Sequence, residues 1–337
     1  SLLTTIVYLC SRKTKTFSML SRHIIRSKTL QAVYSYVVGG NTDIEKGRRA
    51  LIDSVEDMRN LIFTQISALL ELRDIAERKI EENRHKHVPT EEDINPNLTF
   101  VQNPLLLHLR DNAHVQNAIN GLRLNWADMN DNFRKIYKEV QEWSEYQNYM
   151  NSGEQNYTSH RQFIVKLFKK FIAFDSNLRA LYEERNIHWG DDSVLTGLMV
   201  HAWLKSYDPE KESTTEFPAL LKPSEGMGDD DDRSFMIKLF DKTIINLGAY
   251  DDLIEKHLKN WDIERVIVLD MLVIKLALTE ITQFDNIPVK ASMNEYIELS
   301  KEFGTPKSNS FVNGLLDKII GDLKAEGKIS KTGRGLA

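Results

Sequence analysis

A long apolar helix in the C-terminal part of the sequence limits the fold of this chain more than any other feature. From Asp262 to Gln283 apolar residues recur at helical spacing and cover almost the whole circumference. Such a helix is buried on all sides, so the spacing predicts that it lies at the centre of a helical core. Pro288, Gly304 and Gly314 then punctuate the sequence, which predicts further helices joined by short loops.

The rest of the sequence also has helical periodicity. Alternation of apolar and polar residues is nowhere sustained, which predicts an all-α fold. Residues 43–82 have apolar positions three and four apart and predict one long amphipathic helix, or two in line. Residues 85–103 have no periodicity and predict a loop. Three shorter helices are predicted at Leu105 to Leu109, Val115 to Trp126 and Phe133 to Tyr149.

Composition excludes several classes of protein. The chain has 337 residues, of which 41% are apolar, enough for a sizeable core. Its net charge of −5 excludes a globally basic nucleic-acid-binding protein, so any RNA contact has to come from a local patch. Cys10 is the single cysteine, which excludes an internal disulfide and fits a cytoplasmic location. Leu2 to Leu9 is too short to span a bilayer, so we expect no membrane partner and interpret residues 1–18 as a tail.

Two clusters of possible metal ligands have simpler interpretations. His85 and His87 lie two residues apart, but no acid or cysteine at ligand spacing completes a site. Asp229 to Asp232 end a Pro- and Gly-containing linker, residues 208–232. These acids suit a divalent-cation site or a solvated connector, and we favour the connector because no periodic backbone makes them converge. We therefore predict no metal site.

The sequence contains an internal repeat. Residues 161–172 align with residues 233–244 at an offset of 72, and Trp189 falls on Trp261 at the same offset. Leu198 stands where the second copy has Asp270. The first copy, residues 161–207, is therefore interpreted as a degenerate structural duplicate.

A motif extends from Trp261 to Asp317. Its members in order are Trp261, Arg265, Asp270, Asn294, Glu295, Glu298, Leu299, Lys301, Phe303, Gly304, Ser308, Phe311, Val312, Asn313, Gly314, Leu316 and Asp317. This pattern resembles the C-terminal half of the NusB family of bacterial transcription antitermination factors. The resemblance implies an all-helical NusB-like bundle.

The segment from Leu20 to Tyr36 resembles the arginine-rich first helix of the same family. Five residues match the family pattern directly, namely Arg22, Arg26, Gln31, Ala32 and Tyr34. His23 occupies a position where the family has arginine, so this copy is less basic than usual.

Two groups of residues are candidate RNA contacts. Arg22, His23, Arg26 and Lys28 cluster on less than two helical turns, and tethered cations of this kind contact phosphates. An equally simple interpretation is that the basic run belongs to an ordinary surface helix. The second group, at a helix start, suits base stacking and phosphate binding, and comprises Lys307, Ser308, Asn309 and Phe311. Phe311 taken alone suits a core position better, and the resemblance to NusB is what implies a contact with boxA RNA.

The resemblance also implies a protein partner. Asp270 and Tyr34 match family residues that face NusE, the ribosomal protein of the small subunit that doubles as an elongation factor. Taken alone, Asp270 is equally well explained as a structural helix carboxylate.

These patterns lead to one functional hypothesis and one alternative. Without a G-x-G-x-x-G, P-loop or H-E-x-x-H motif, the sequence predicts no enzyme and no cofactor. The resemblance implies a factor that binds boxA-like single-stranded RNA with NusE and acts indirectly on RNA polymerase to suppress termination in ribosomal RNA operons. The alternative is a protein-binding adaptor in ribosome assembly without RNA affinity. The predicted division is a tail at 1–18, an RNA-binding first helix at 19–40, a helical insertion at 41–230, a NusB-like core at 231–326 and a tail at 327–337.

Overall fold

A computed structural model describes residues 19–153, 156–222, 231–258 and 267–336, and these contain helices and no strand. The predicted all-α fold is confirmed. Two compact units are present, unit 1 from Met19–Val55 and Ala219–Ala337 and unit 2 from Glu56–Pro218. Among the described helices none has the length and apolar content needed to cross a bilayer.

Unit 1 is built around the predicted core helix. Its helices are α1 (Arg22–Val38), the first turns of α2 (Ile44–Arg84), α12 (Asp232–Ile245), α13 (Leu247–His257), α14 (Val268–Gln283), α15 (Val289–Phe303) and α16 (Ser308–Ala325). The helix α14 packs against α1, α12, α13, α15 and α16, and its apolar residues from Leu272 to Leu278 are buried. The central place that the sequence predicts for α14 is therefore correct, because an all-round apolar helix needs neighbours on every side.

Within the described residues, unit 2 contains the rest of α2, a short 3-10 helix (Ala127–Met129) and nine further α-helices. Their bounds are α3 (Glu91–Ile94), α4 (Pro104–Asp111), α5 (Ala113–Gly121), α6 (Asn130–Glu142), α7 (Ser144–Asn151), α8 (Tyr157–Phe171), α9 (Ser176–Arg185), α10 (Ile187–Ser206) and α11 (Glu212–Thr215). The helix α8 packs against α4, α6, α7 and α10, and α9 packs against α10. The long helix predicted over 43–82 is one continuous helix, and most of the predicted loop 85–103 is irregular.

The internal repeat is visible in the helix order. Shifted by 72, α8, α9 and α10 of unit 2 overlap α12, α13 and α14 of unit 1 in sequence. Trp189 is buried, whereas Trp261 and Arg265 lie outside the described residues. The three helices therefore recur in the same order and nearly the same spacing.

The acidic end of the linker differs from its prediction. The side chain of Asp231 caps α12 by accepting a hydrogen bond from the backbone N–H of Ser234, at 2.6 Å. Asp232 is buried and contacts Arg22. The interpretation of these two acids as a solvated connector is wrong, because both have folded partners. Asp229 and Asp230 lie outside the described residues.

Candidate functional site

Arg26 of α1 forms a buried ion pair with Glu280 of α14. Its Nε and Nη2 atoms donate to the two carboxylate oxygens of Glu280, each at 2.7 Å. Ser292 Oγ and Tyr296 Oη also donate to this carboxylate, at 2.7 and 3.1 Å. Burial opposes the charge on Arg26, but the attraction and hydrogen bonds of Glu280 outweigh it and raise the pKa of the guanidinium. This bidentate network fixes α1 against α14 and α15.

His23 lies between two acids of α15. Its Nδ1 is 3.0 Å from Glu295 Oε2, and its Nε2 is 3.3 Å from Glu302 Oε2. Desolvation by burial lowers the pKa of His23, but the two carboxylates outweigh that effect and raise it to about 9. With an acceptor at each ring nitrogen, the imidazole is a doubly protonated cation at neutral pH.

The predicted basic cluster is therefore largely internal. His23, Arg26 and Lys28 are 6%, 5% and 4% exposed. Arg22 is more accessible, its side chain 31% exposed, and its Nε donates to Asp232 Oδ1 at 2.8 Å. The expectation that all four cations are available to phosphates is wrong, because acids distant in sequence fold against them. Only Arg22 of the four is well placed to meet a ligand.

Asp270 and Ser308 form a second buried contact. Ser308 Oγ donates to Asp270 Oδ2 at 2.9 Å and accepts from the backbone N–H of Thr305 at 2.8 Å. Gly304 makes this possible, since a Cβ there would overlap the Ser308 side chain and lie 2.5 Å from the carbonyl oxygen of Ser300. Burial raises the pKa of Asp270, and the Ser308 hydrogen bond acts in the opposite direction. Asp270 Oδ1 is buried without a hydrogen-bond partner among the described residues.

The other residues of the second predicted group divide by exposure. Phe311 is 7% exposed and belongs to the buried face of α16, so the structure agrees with the core alternative for its ring. Ser308 is 1% exposed and is occupied by the contacts to Asp270 and Thr305. Lys307 is exposed and Asn309 is half-buried at the start of α16. A stacking role for Phe311 on an RNA base conflicts with this burial, whereas Lys307 and Asn309 stay accessible.

The two predicted partner-binding residues also differ in exposure. Tyr34 projects from α1 and is 39% exposed, as a contact residue has to be. Asp270 is 5% exposed. A buried acid with a purely structural role normally has both oxygens hydrogen-bonded, whereas Asp270 Oδ1 has no partner among the described residues.

Comparison with known proteins assigns the C-terminal part of the chain. Residues 198–321 match the model of the NusB family. A segment of 104 residues is 42% identical to the transcription antitermination protein NusB of Salinibacter ruber and covers 31% of this chain and 65% of that protein. Residues 198–321 are therefore similar to the NusB family. The chain is also 34% identical over 133 residues to NusB of Chloroherpeton thalassium, which is 40% of this chain and 63% of that one. NusB of Natranaerobius thermophilus is 42% identical over 82 residues, 24% of this chain and 59% of that protein.

The NusB match has clear limits. The chain spans less than two thirds of the length of these relatives. The family model begins at residue 198, before the predicted core boundary at 231, and it does not include α1. No solved structure matches the chain significantly. The assignment of α1 and the domain boundaries stay predictions.

Sequence reasoning missed the acids that organise the candidate site. Glu280, Glu302 and Asp232 are the partners of Arg26, His23 and Arg22. One signal for Glu280 was available, because an acid in the middle of an all-round apolar helix needs a buried partner. Which cation it takes is decided by packing between residues 254 positions apart, and helical periodicity does not contain that information.

Proposed function

We propose that this chain is a transcription antitermination factor that binds boxA-like single-stranded RNA together with NusE. In this role it acts on the RNA polymerase elongation complex indirectly, in the cytoplasm, and suppresses premature termination in ribosomal RNA operons. The observation that carries the proposal is the NusB family match over residues 198–321. The function is one of binding, without catalysis.

The structure supports an altered set of RNA contacts. Arg22 and Lys307 are the predicted cations that reach the surface of unit 1, and Asn309 lies beside Lys307 at the start of α16. His23, Arg26 and Lys28 would act indirectly, by holding α1 in place. RNA affinity should therefore depend on fewer cations than the sequence alone predicts.

Binding titrations test the proposal. A labelled boxA-like RNA and a scrambled RNA of equal length are titrated with the full chain, with and without NusE. We expect preference for the boxA-like RNA and tighter binding when NusE is present, since two linked partners share one RNA. Equal affinity for both RNAs in the presence of NusE would contradict the proposal.

Matched variants test the assigned residues. Lys307→Ala should weaken RNA binding and lower the slope of log affinity against log salt by about 0.7 for one lost phosphate contact on a single strand. Lys318→Ala, an exposed lysine further along α16, is the control and should keep the parental slope. For NusE, Tyr34→Ala should reduce affinity about tenfold if the ring is an interface anchor. Val88→Ala, at an exposed side chain of unit 2, is its control.

The adaptor in ribosome assembly remains a second candidate for a specific reason. Three of the four cations predicted on α1 are buried, which removes most of the expected phosphate contacts. That hypothesis predicts NusE binding that depends on Tyr34 and no measurable RNA binding by the chain in either titration.

A further inference from the structure

A pocket of about 300 Å³ lies in unit 2, between the irregular residues 95–103 and the helices α6 and α7. Trp143 has an extended backbone between α6 and α7, so the two helices meet at a corner. Asn97 Nδ2 donates to the carbonyl oxygen of Met150 at 2.7 Å, and Arg73 Nε donates to that of Val101 at 3.0 Å. These bonds tie the irregular residues to α7 and α2, so the fold sets the shape of the pocket.

Aromatic rings line this pocket. Phe100 and Tyr137 lie nearly parallel, with an angle of 17° between their planes, and Tyr146 meets Phe100 edge to face. All three side chains are less than a tenth exposed. Because their neighbours hold these rings in place, they offer a flat ligand a fixed surface for ring contacts.

The hydroxyls of Tyr137 and Tyr146 leave one hydrogen without an acceptor. Their oxygens lie 3.3 Å apart, so one hydroxyl donates to the other. The accepting hydroxyl keeps a hydrogen of its own, and no acceptor for that hydrogen lies among the described residues. Burial raises the pKa of both tyrosines, so both stay protonated at neutral pH. A buried donor without an acceptor is unfavourable, and a ligand that brings an acceptor removes that cost.

Gln141 provides a second unused donor. Its Oε1 accepts from Lys79 Nζ at 2.8 Å, and this contact identifies the oxygen end of the amide because lysine only donates. The NH2 group of Gln141 has no acceptor among the described residues. Gln141 is half-buried in the lining of the pocket, and Lys79 holds its amide in one orientation.

The lining determines the class of ligand. None of the described residues that line the pocket is charged. A charged ligand would lose hydration there without gaining an opposite charge, so the pocket suits a neutral one. The two donors call for acceptor atoms on the ligand, and the rings call for a flat one. A nucleobase is flat and neutral and has ring nitrogen and carbonyl acceptors, and glutamine amides pair with base edges.

We propose that this pocket of unit 2 binds a single nucleobase, with the tyrosine pair and Gln141 donating to its acceptor atoms. The volume is at the small end of the range of about 300–1,000 Å³ for ligand pockets, which fits one base. The site lies outside the NusB match over residues 198–321 and goes beyond the function proposed above. A free nucleoside and an unpaired base of RNA share this chemistry.

Nucleoside titrations test the pocket directly. The methionine methyl groups of the full chain are isotope-labelled, and the NMR signal of Met150, which lines the pocket, is assigned by its loss in Met150→Leu. We expect this signal to shift saturably with at least one of adenosine, guanosine, cytidine and uridine. Benzyl alcohol, a ring without base acceptors, should bind about tenfold more weakly because the donors stay unpaired. No saturable shift with any nucleoside, or equal binding of benzyl alcohol, would overturn the proposal.

Two variants test the donors. Gln141→Leu removes the amide, and the double variant Tyr137→Phe, Tyr146→Phe removes both hydroxyls and keeps the rings. Each should weaken nucleoside binding about tenfold, the effect of one lost hydrogen bond. Gln116→Leu removes a half-buried glutamine of α5 outside the pocket and should bind as the parent does. Thermal melts check that each variant is folded, and parental affinity in both donor variants would overturn the assignment.

RNA separates the two sources of the base. The Met150 signal is followed during titrations with the boxA-like RNA and with the scrambled RNA of equal length. A shift with RNA that the double variant loses would assign the site to an RNA base, whereas a shift with nucleosides alone would assign it to a free nucleoside. Both outcomes support a nucleobase site. Failure of the nucleoside titrations would leave the preference for boxA-like RNA untouched, so the two proposals fail separately.

Discussion

The two units of this molecule bury different kinds of side chain. Unit 1 contains eight of the eleven buried Asp, Glu, Lys, Arg and His side chains among the described residues. Unit 2 instead has a cluster of aromatic rings, in which Tyr149 and Phe163 stack with their centroids 3.8 Å apart and Phe100 meets Phe163 edge to face. The repeated helices of the two units therefore support cores of different kinds.

This difference separates what stabilises a fold from what specifies it. Aromatic burial is favourable in itself, because it removes apolar surface from water. A buried ion pair such as Arg26–Glu280 contributes little net stability, since desolvation of two charges offsets their attraction. Its directional bonds nevertheless permit one placement of α1 against α14. The buried charges of unit 1 therefore fix the register of α1 against α14 and α15.

The largest expected effect comes from removing one member of the buried pair. Glu280→Ala should lower the free energy of unfolding by about 3–5 kcal/mol, because it leaves the Arg26 guanidinium buried without its carboxylate. Chemical denaturation followed by circular dichroism measures the change. The double variant Arg26→Met, Glu280→Leu should recover part of the loss, because no charge stays buried alone although Ser292 and Tyr296 still lose their acceptor. A double variant as unstable as Glu280→Ala would show that the ion pair itself stabilises the fold. It would contradict the distinction between the charged core of unit 1 and the aromatic core of unit 2.

The second prediction concerns pH. Because the pKa of His23 is raised from 6.5 to about 9, its contribution to stability is fully present below pH 6.5 and is lost as pH rises through 9. The loss should be roughly 3 kcal/mol, the free-energy equivalent of that shift. Denaturation midpoints of the parent and of His23→Gln between pH 6 and pH 9.5 measure it by difference.

Unit 2 provides the internal control for this pH effect. Burial raises the pKa of Tyr149 to about 12, so its ring hydroxyl stays neutral over the same range. Hydrogen exchange should therefore show α1 losing protection at high pH beyond any loss in α8. If the stability of the parent and of His23→Gln changes equally with pH, His23 is not the cause of the pH effect.

The sequence predicts the helices of this chain well and its buried charges poorly. Periodicity is a local property, so the long helix α2 and the apolar helix α14 are both recognisable from spacing alone. The burial of His23 and Arg26 depends on acids on α14 and α15, more than 250 positions away in sequence. No local pattern encodes such a pairing, and an arginine in isolation is most simply explained as a surface residue.

Phe311 and Asp270 show the same limit at the candidate site. An aromatic ring at a helix start suits either stacking or the core, and the packing of α16 against α14 decides for the core. Asp270 could be assigned to a partner by resemblance, but its contact with Ser308 depends on the turn at Gly304. Tyr34 and Lys307, by contrast, are exposed, as their proposed roles require.

The third prediction tests that turn. Gly304→Ala should lower the free energy of unfolding by about 1–3 kcal/mol, the usual cost of forcing atoms into a filled space. Its Cβ meets the Ser308 side chain and the backbone of Ser300. Gly321→Ala, inside α16 with no atom near its Cβ position, should instead stabilise by about 0.5–1 kcal/mol through helix propensity. Thermal melts measure both variants. Equal changes in melting temperature would show that the space around Gly304 does not matter.

The smallest expected effect comes from a second arginine–carboxylate pair of unit 1 that differs in burial. Arg48 Nη2 lies 2.8 Å from Asp241 Oδ2, and the Arg48 side chain is 29% exposed against 6% for Arg26. Since water screens an accessible pair, Arg48→Ala should change the free energy of unfolding by less than about 1 kcal/mol. Denaturation of Arg48→Ala beside Glu280→Ala compares an accessible pair with a buried one whose carboxylate also accepts from Ser292 and Tyr296. A loss as large as that of Glu280→Ala would mean that the free-energy cost of breaking an ion pair in unit 1 depends on the pairing itself and not on its burial.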